Sequence, residues 1–249
     1  MLTIMVSTLL FGTEIDAKIY QPRQLVSIPT AGILPENTFS THLHLYRNGG
    51  VMFGLDVGLL NRFMFGVSFG GEQIIGDGDI NWQPNAEFEL KLRALEENYT
   101  YPAIVLGFSS QGEGAYYDAP GRYRVKSKGF FVTFSKNFKV LYGNLGLHIG
   151  SNYSLEREED DNIGFFAGID KDFLEVVALN LDYDAALNDN REGGRFGRNY
   201  GYLNASIKYV HISKFEFEFL LKDLLRNSRQ IETPIREFRL TFIFPIGGN

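Results

Sequence analysis

The chain has 249 residues, with no cysteine, 22 Phe, 13 Tyr, 27 Gly and a formal net charge of −6. That acidic balance argues against a nucleic-acid partner, which needs a basic footprint. The missing thiols exclude disulfide frameworks, thiol nucleophiles and Cys–zinc sites together, and no stretch approaches the ~20 consecutive apolar residues of a membrane-spanning helix.

The first 17 residues read as a signal peptide with an apolar run from Leu2 to Phe11 and small residues at Gly12 and Ala17. The run has no Lys or Arg before it, unlike an ordinary secretory leader, so a buried first strand is the alternative. Residues 18–36 carry Pro22, Pro29 and Pro35 and no sustained period. They read as an irregular lead-in that can tuck into a barrel mouth.

From residue 37 to 246 the chain alternates apolar and polar residues in runs of about ten. Phe88, Leu90, Leu92 and Ala94 alternate with Glu87, Glu89, Lys91 and Arg93. Successive side chains of a strand point to opposite faces, so each run has one apolar and one polar side. The runs are 38–46, 51–59, 62–71, 86–95, 103–109, 128–136, 140–150, 163–169, 174–184, 200–210, 214–222 and 236–245. Within the eleventh, Leu220, Leu221, Leu224 and Leu225 fall at helical spacing, so a short helix over 219–226 is the alternative to a continued strand.

Arg47-Asn48-Gly49-Gly50 predicts a tight turn, with Asn-Gly supplying positive φ. After it the connections alternate in length: short at 60–61, 96–102, 137–139, 170–173 and 211–213, long at 72–85, 110–127, 151–162, 185–199 and 223–235. Sorting of short turns to one end and long loops to the other is the habit of outer-membrane barrels. The expected fold is therefore all-β: an antiparallel up-and-down transmembrane barrel of about twelve strands, in a bacterial outer membrane and in contact with its lipid. A soluble β-sandwich or binding barrel explains the alternation but not the loop sorting.

A mid-membrane Lys or Arg costs roughly 2–4 kcal/mol, so the charge-free face is assigned to lipid. The opposite face is assigned to a polar lumen lined by His42, His44, Asp56, Glu87, Glu89, Lys91, Arg93, Asn144, His148, Asn180, Asp182, Lys208, Glu216, Glu218 and Arg239. Tyr46, Tyr101, Tyr142, Tyr153, Tyr183, Tyr200 and Tyr209 near strand ends suit an aromatic girdle.

Chemical motifs are sparse. His42, His44 and His148 could ligate zinc, yet no carboxylate pattern completes a site, and ordinary lumen histidines are the simpler reading. Gly76-Asp77-Gly78-Asp79 lacks the rest of a calcium loop and reads as a surface turn. The acidic run 156–161 reads as a solvated external loop. No Gly-x-Ser-x-Gly occurs; an outer-membrane hydrolase would have to assemble His148 with a distant Ser and Asp. Neither a cofactor nor a metal is expected, and a non-enzymatic barrel with a polar lumen, open as a channel or plugged, is the leading reading.

The string Lys91-Leu92-Arg93-Ala94-Leu95-Glu96-Glu97, followed by Pro102-Ala103 and Gly107-Phe108, resembles the YjbH-like outer-membrane β-barrel proteins. Pro29-Thr30-Ala31-Gly32, Gly58-Leu59-Leu60-Asn61-Arg62-Phe63, Ser135-Lys136-Asn137-Phe138 and Leu181-Asp182-Tyr183-Asp184 fit the same pattern. The resemblance implies an outer-membrane location and an association with exopolysaccharide or envelope export components. Members with that role are much longer than this chain, and no catalytic residue carries over.

Overall fold

The computed structural model describes residues 21–156, 160–189, 191, 193–211 and 214–246. The segment read as a signal peptide lies outside them. Fifteen strands follow in chain order: β1 Thr38–Tyr46, β2 Gly50–Leu59, β3 Phe63–Glu72, β4 Asn81–Trp82, β5 Glu87–Leu95, β6 Ala103–Ser109, β7 Glu113–Tyr117, β8 Arg122–Val125, β9 Gly129–Val140, β10 Gly143–Tyr153, β11 Gly164–Phe173, β12 Val177–Asp184, β13 Tyr202–His211, β14 Phe215–Lys222 and β15 Ile235–Pro245. Twelve of them form a ring, from β1, β2, β3, β5 and β6 through β9 to β15. Antiparallel pairing of β15 with β1, Thr38 opposite Pro245 through Leu45 opposite Phe238, closes it. Closure leaves no edge, so every wall amide can pair within the wall.

The other three strands belong to the loops. Asn81 and Trp82 extend the sheet beside the far end of β3, and β7 with β8 makes a hairpin in the loop before β9. The long connections share the end where β3 and β12 finish, together with the tight turn at 47–49; the other short ones share the opposite end. Positive φ at Asn48 and Gly49 makes the Asn-Gly turn. Leu60, Asn61, Leu174 and Glu175 adopt the same region without a glycine. The predicted turn at 170–173 is strand instead, and β11 runs to Phe173 before turning at 174–176. Four more residues of pairing, Asp170 to Phe173 against Asn180 to Val177, outweigh a shorter strand. The strand continues where a helix over 219–226 was the alternative. Phe219 to Leu221 pair on both sides, with Ile207 to Ala205 and with Phe238 to Arg236, Lys222 pairs with Ile235, and ladder hydrogen bonds override the leucine spacing.

Outward side chains are apolar and uncovered: Phe53 is 54% exposed, Leu106 50% and Ile149 60%. An apolar surface continuous around a barrel is far beyond what a soluble monomer leaves to water, while in hydrocarbon it meets its own kind. Tyr101, Tyr142, Tyr153, Tyr183, Tyr200 and Tyr209 face outward near strand ends. Tyr46 does not; it borders the internal cavity.

The described part of the lead-in, residues 21–36, is irregular apart from one bridge and is not confined to the mouth. It enters at the short-turn end and rises deep into the lumen as a hairpin, with Gln24 bridged to Pro29 and the Leu25 amide donating to the Ile28 carbonyl (3.1 Å). Its second leg buries Ala31, Ile33 and Leu34 against the inward-facing Met64, Ala103, Val105 and Phe131. Near its tip Leu25 and Ile28 pack on Phe166. The apolar core of this protein thus lies inside the barrel, between hairpin and wall.

Loop length sets the orientation expected of such a barrel in an outer membrane. The native chain has no cysteine, so Asp161→Cys, in the long loop before β11, and Leu174→Cys, in the short turn after it, can be labelled without background. On intact cells a membrane-impermeant maleimide should reach the first, and the second only once the outer membrane is breached. Labelling of both on intact cells overturns the orientation.

Candidate functional site: the lumen

Inward side chains on neighbouring strands meet at hydrogen-bonded or non-bonded pair positions, a few ångströms apart. This register builds ion pairs across the wall. Asp56 on β2 accepts from Ser40 on β1 (2.9 Å) and from the hairpin's Arg23 (3.1 Å), with His42 3.6 Å away. His44 lies 2.7 Å from Glu237, and Lys222 lies 3.6 Å from the same carboxylate. Glu218 gathers Ser206 (2.6 Å), Asn180 (3.2 Å), Arg239 (3.3 Å) and Lys208 (3.8 Å), and Lys208 is also 3.4 Å from Glu216. Asn144 donates to Asp172 through both its amide and its side chain (2.8 Å each).

The charged run on β5 divides its partners. Glu87 accepts from the Tyr123 hydroxyl of β8 (2.7 Å), and Glu89 stands 3.7 Å from Lys91. Lys91 donates to the Arg23 carbonyl (2.5 Å), while Arg93 donates to Gln21 and to the Ala31 carbonyl (3.1 Å each). Two of the four hold the hairpin. Asp182 does so most directly: one carboxylate oxygen accepts the amides of Val26 (2.9 Å), Ser27 (2.7 Å) and Ile28 (3.3 Å) at the tip, and the other accepts from Asn204 (2.8 Å).

His148 sits in a chain of hydrogen bonds. The Ala31 amide donates to Ser135 Oγ (2.9 Å), His148 Nδ1 is 2.7 Å from that oxygen, and Nε2 is 2.7 Å from Asp170 Oδ1. A neutral ring accepting at Nδ1 and donating from Nε2 satisfies every member. A serine, a histidine and an aspartate therefore do assemble, from β9, β10 and β11. Sequence reasoning did not place Ser135 or Asp170; only strand register brings residues 13 and 22 positions from His148 beside it. The three are at most 4% exposed, and none borders the cavity. With Ala31 seated on Ser135 Oγ, the chain anchors the hairpin and presents no nucleophile to a solute. The three lumen histidines have separate partners, and among the described residues no group of histidines and carboxylates is placed to share a metal ion.

At the loop end, folded-in loops narrow the mouth. Arg122 is fully buried, 2.7 Å from Asp189 and 3.9 Å above the Phe196 ring, and Arg124 donates to Glu72 (2.9 Å). Of the acidic run, 157–159 lie outside the described residues. Glu156 turns inward and accepts the amides of Tyr123 (2.9 Å) and Ser127 (2.8 Å); burial raises its carboxyl above the usual range. Gly76 to Asp79 lie exposed in the loop after β3.

A cavity of about 2160 Å³ runs beside the hairpin. Gln83, Gln111 and Lys126 border it at the loop end, and Glu97, Asn137 and Glu175 at the turn end. Between them Lys208, Arg239 and Arg23 face Glu216, Glu237 and Asp56.

No protein-family model matches the chain, and no curated protein does. Among solved structures it is similar to a KdgM porin, at 10% identity over 84% of this chain and 99% of that one, with a TM-score of 0.49. It is similar to a NanC porin at 9% identity over 83% and 98%, with a TM-score of 0.46. An outer membrane channel from Pseudomonas putida F1 aligns at 11% identity over 85% and 97%, with a TM-score of 0.41.

Proposed function

We propose that the protein is a non-enzymatic solute channel of the bacterial outer membrane, with a lane between the lead-in hairpin and the wall formed by β13 to β15 and β1 to β5. The observation that carries this reading is the cavity, whose lining reaches residues of both barrel ends. Its walls bear both signs of charge along their length. A lane of that kind screens neither cations nor anions strongly and suits small polar or zwitterionic solutes.

Passage of sugar chains, or assembly with exopolysaccharide export components, is the narrower reading. It rests on the sequence resemblance, and a lane polar on both walls suits sugar hydroxyls. The deciding experiment for the broader one is a planar bilayer recording of the full chain. Discrete current steps with weak ion selectivity are expected. Glu216→Gln together with Glu237→Gln should shift the reversal potential toward anion preference. A barrel shown to be folded by its heat-modifiable migration, yet passing no current, sinks the channel.

A further inference from the structure

The hairpin is held in two different ways along its length. Its second leg, 31–35, is seated by apolar burial: Ala31, Ile33 and Leu34 close over Met64, Val105 and Phe131. Its first leg and tip, 21–30, are held mainly by polar contacts. Arg23 reaches Asp56 and Ser40, Lys91 and Arg93 reach the leg, and Arg239 donates to the Val26 carbonyl (3.0 Å). Leu25, Val26 and Ile28 are the apolar exceptions, all fully buried, with Leu25 and Ile28 packed on Phe166. Water can replace a hydrogen bond at little net cost, whereas unseating apolar surface loses the whole transfer free energy.

Space and imperfect satisfaction fall on the same leg. Gln21, Arg23, Gln24, Ser27 and Pro29 all border the large cavity, so one flank of the leg is unpacked. Ser27 Oγ, at the tip, is buried without a hydrogen-bond partner. Three successive tip amides depend on a single oxygen of Asp182.

We infer that residues 21–30 are a displaceable gate, latched at the tip by Asp182 and, once released, swinging about the seated second leg through the cavity toward its short-turn end, where Arg23 comes within reach of a protease. Displacement frees three amides and one carboxylate to water and changes the width of the lane. Its role in transport rests on the channel reading, but the movement itself is tested without any current.

Trypsin cuts after Arg23 only when the leg leaves its seat, and the fragment beginning at Gln24 is identified by mass among cuts in the exposed loops. When opening is fast relative to cleavage, the rate follows the open population. Asp182→Asn weakens a charge-assisted acceptor of three amides and should raise that rate about tenfold or more. For the opposite arm, a Cβ added at Gly168 would lie 2.5 Å from Leu25 Cδ1 and 2.9 Å from Ile28 Cδ1, so both tip side chains cover this glycine. Gly168→Cys with Ile28→Cys, its disulfide verified by mass before use, should tie the tip to β11. Oxidised, this variant should lose the Gln24 fragment; reduced, it should regain it. Both variants are first checked for heat-modifiable migration. Equal Gln24-fragment rates in the wild type, the Asp182→Asn variant and the oxidised double-cysteine variant overturn the gate. Absence of current with the expected cleavage pattern overturns the channel and leaves the gate standing.

Discussion

Leu55→Arg should abolish assembly of the barrel, while Ser68→Arg leaves it folded. The two positions are at nearly the same depth: Leu55 pairs with Val67 and Gly54 with Ser68 on the adjoining strands β2 and β3. They differ in face. Leu55 points outward, 40% exposed, whereas Ser68 borders the cavity and bonds to Gln111 (2.8 Å). A guanidinium near the bilayer middle costs roughly 2–4 kcal/mol, a large part of the stability of a domain. The same group in the lane stays hydrated and can approach Glu87, which stands opposite Ser68 on β5. Heat-modifiable migration after outer-membrane extraction reads both. Equal tolerance would falsify the assignment of faces.

Val105→Asp should unseat the hairpin without dismantling the wall. By parity Val105 belongs to the inner face, where alternation alone predicts that a carboxylate is harmless. In the structure it is fully buried beneath the second leg of the hairpin, in the cluster with Ile33 and Leu34. A carboxylate left there without a partner costs roughly 3–5 kcal/mol. The least costly relief is to lift the leg and let water in, because the wall's own ladder from Ala103 to Ser109 against β9 needs nothing from this side chain. The variant should keep its heat-modifiable migration and gain tryptic cleavage after Arg23 by at least an order of magnitude. Val105→Ala, which only removes two methyl groups, should cost on the order of 1–2 kcal/mol and raise cleavage far less than the aspartate does. An aspartate as well tolerated as the alanine would show that the second leg does not depend on this seat.

The sequence by itself determined the wall. Side-chain direction along a strand is local, so alternation in runs such as 87–95 declares both the strand and its two faces, and glycine or asparagine at Asn48-Gly49 declares the turn. Loop lengths then sorted the two ends. Even there local spacing left the ends of runs open: the turn expected at 170–173 pairs as strand, and leucines at 220, 221, 224 and 225 allowed a helix where neighbours hold a strand as far as Lys222. Tertiary structure alone decided what fills the barrel. Pro22, Pro29 and Pro35 marked residues 18–36 as irregular, but a hairpin with one hydrogen-bonded bridge has no period to read. Its seat was visible only as exceptions, the apolar Met64, Val105 and Phe131 at inward positions. The pairing of Ser135 with His148 and Asp170, and of Asp182 with amides more than 150 positions away, depends on ring closure and register. Those are properties of twelve strands taken together, and no single run of residues carries them.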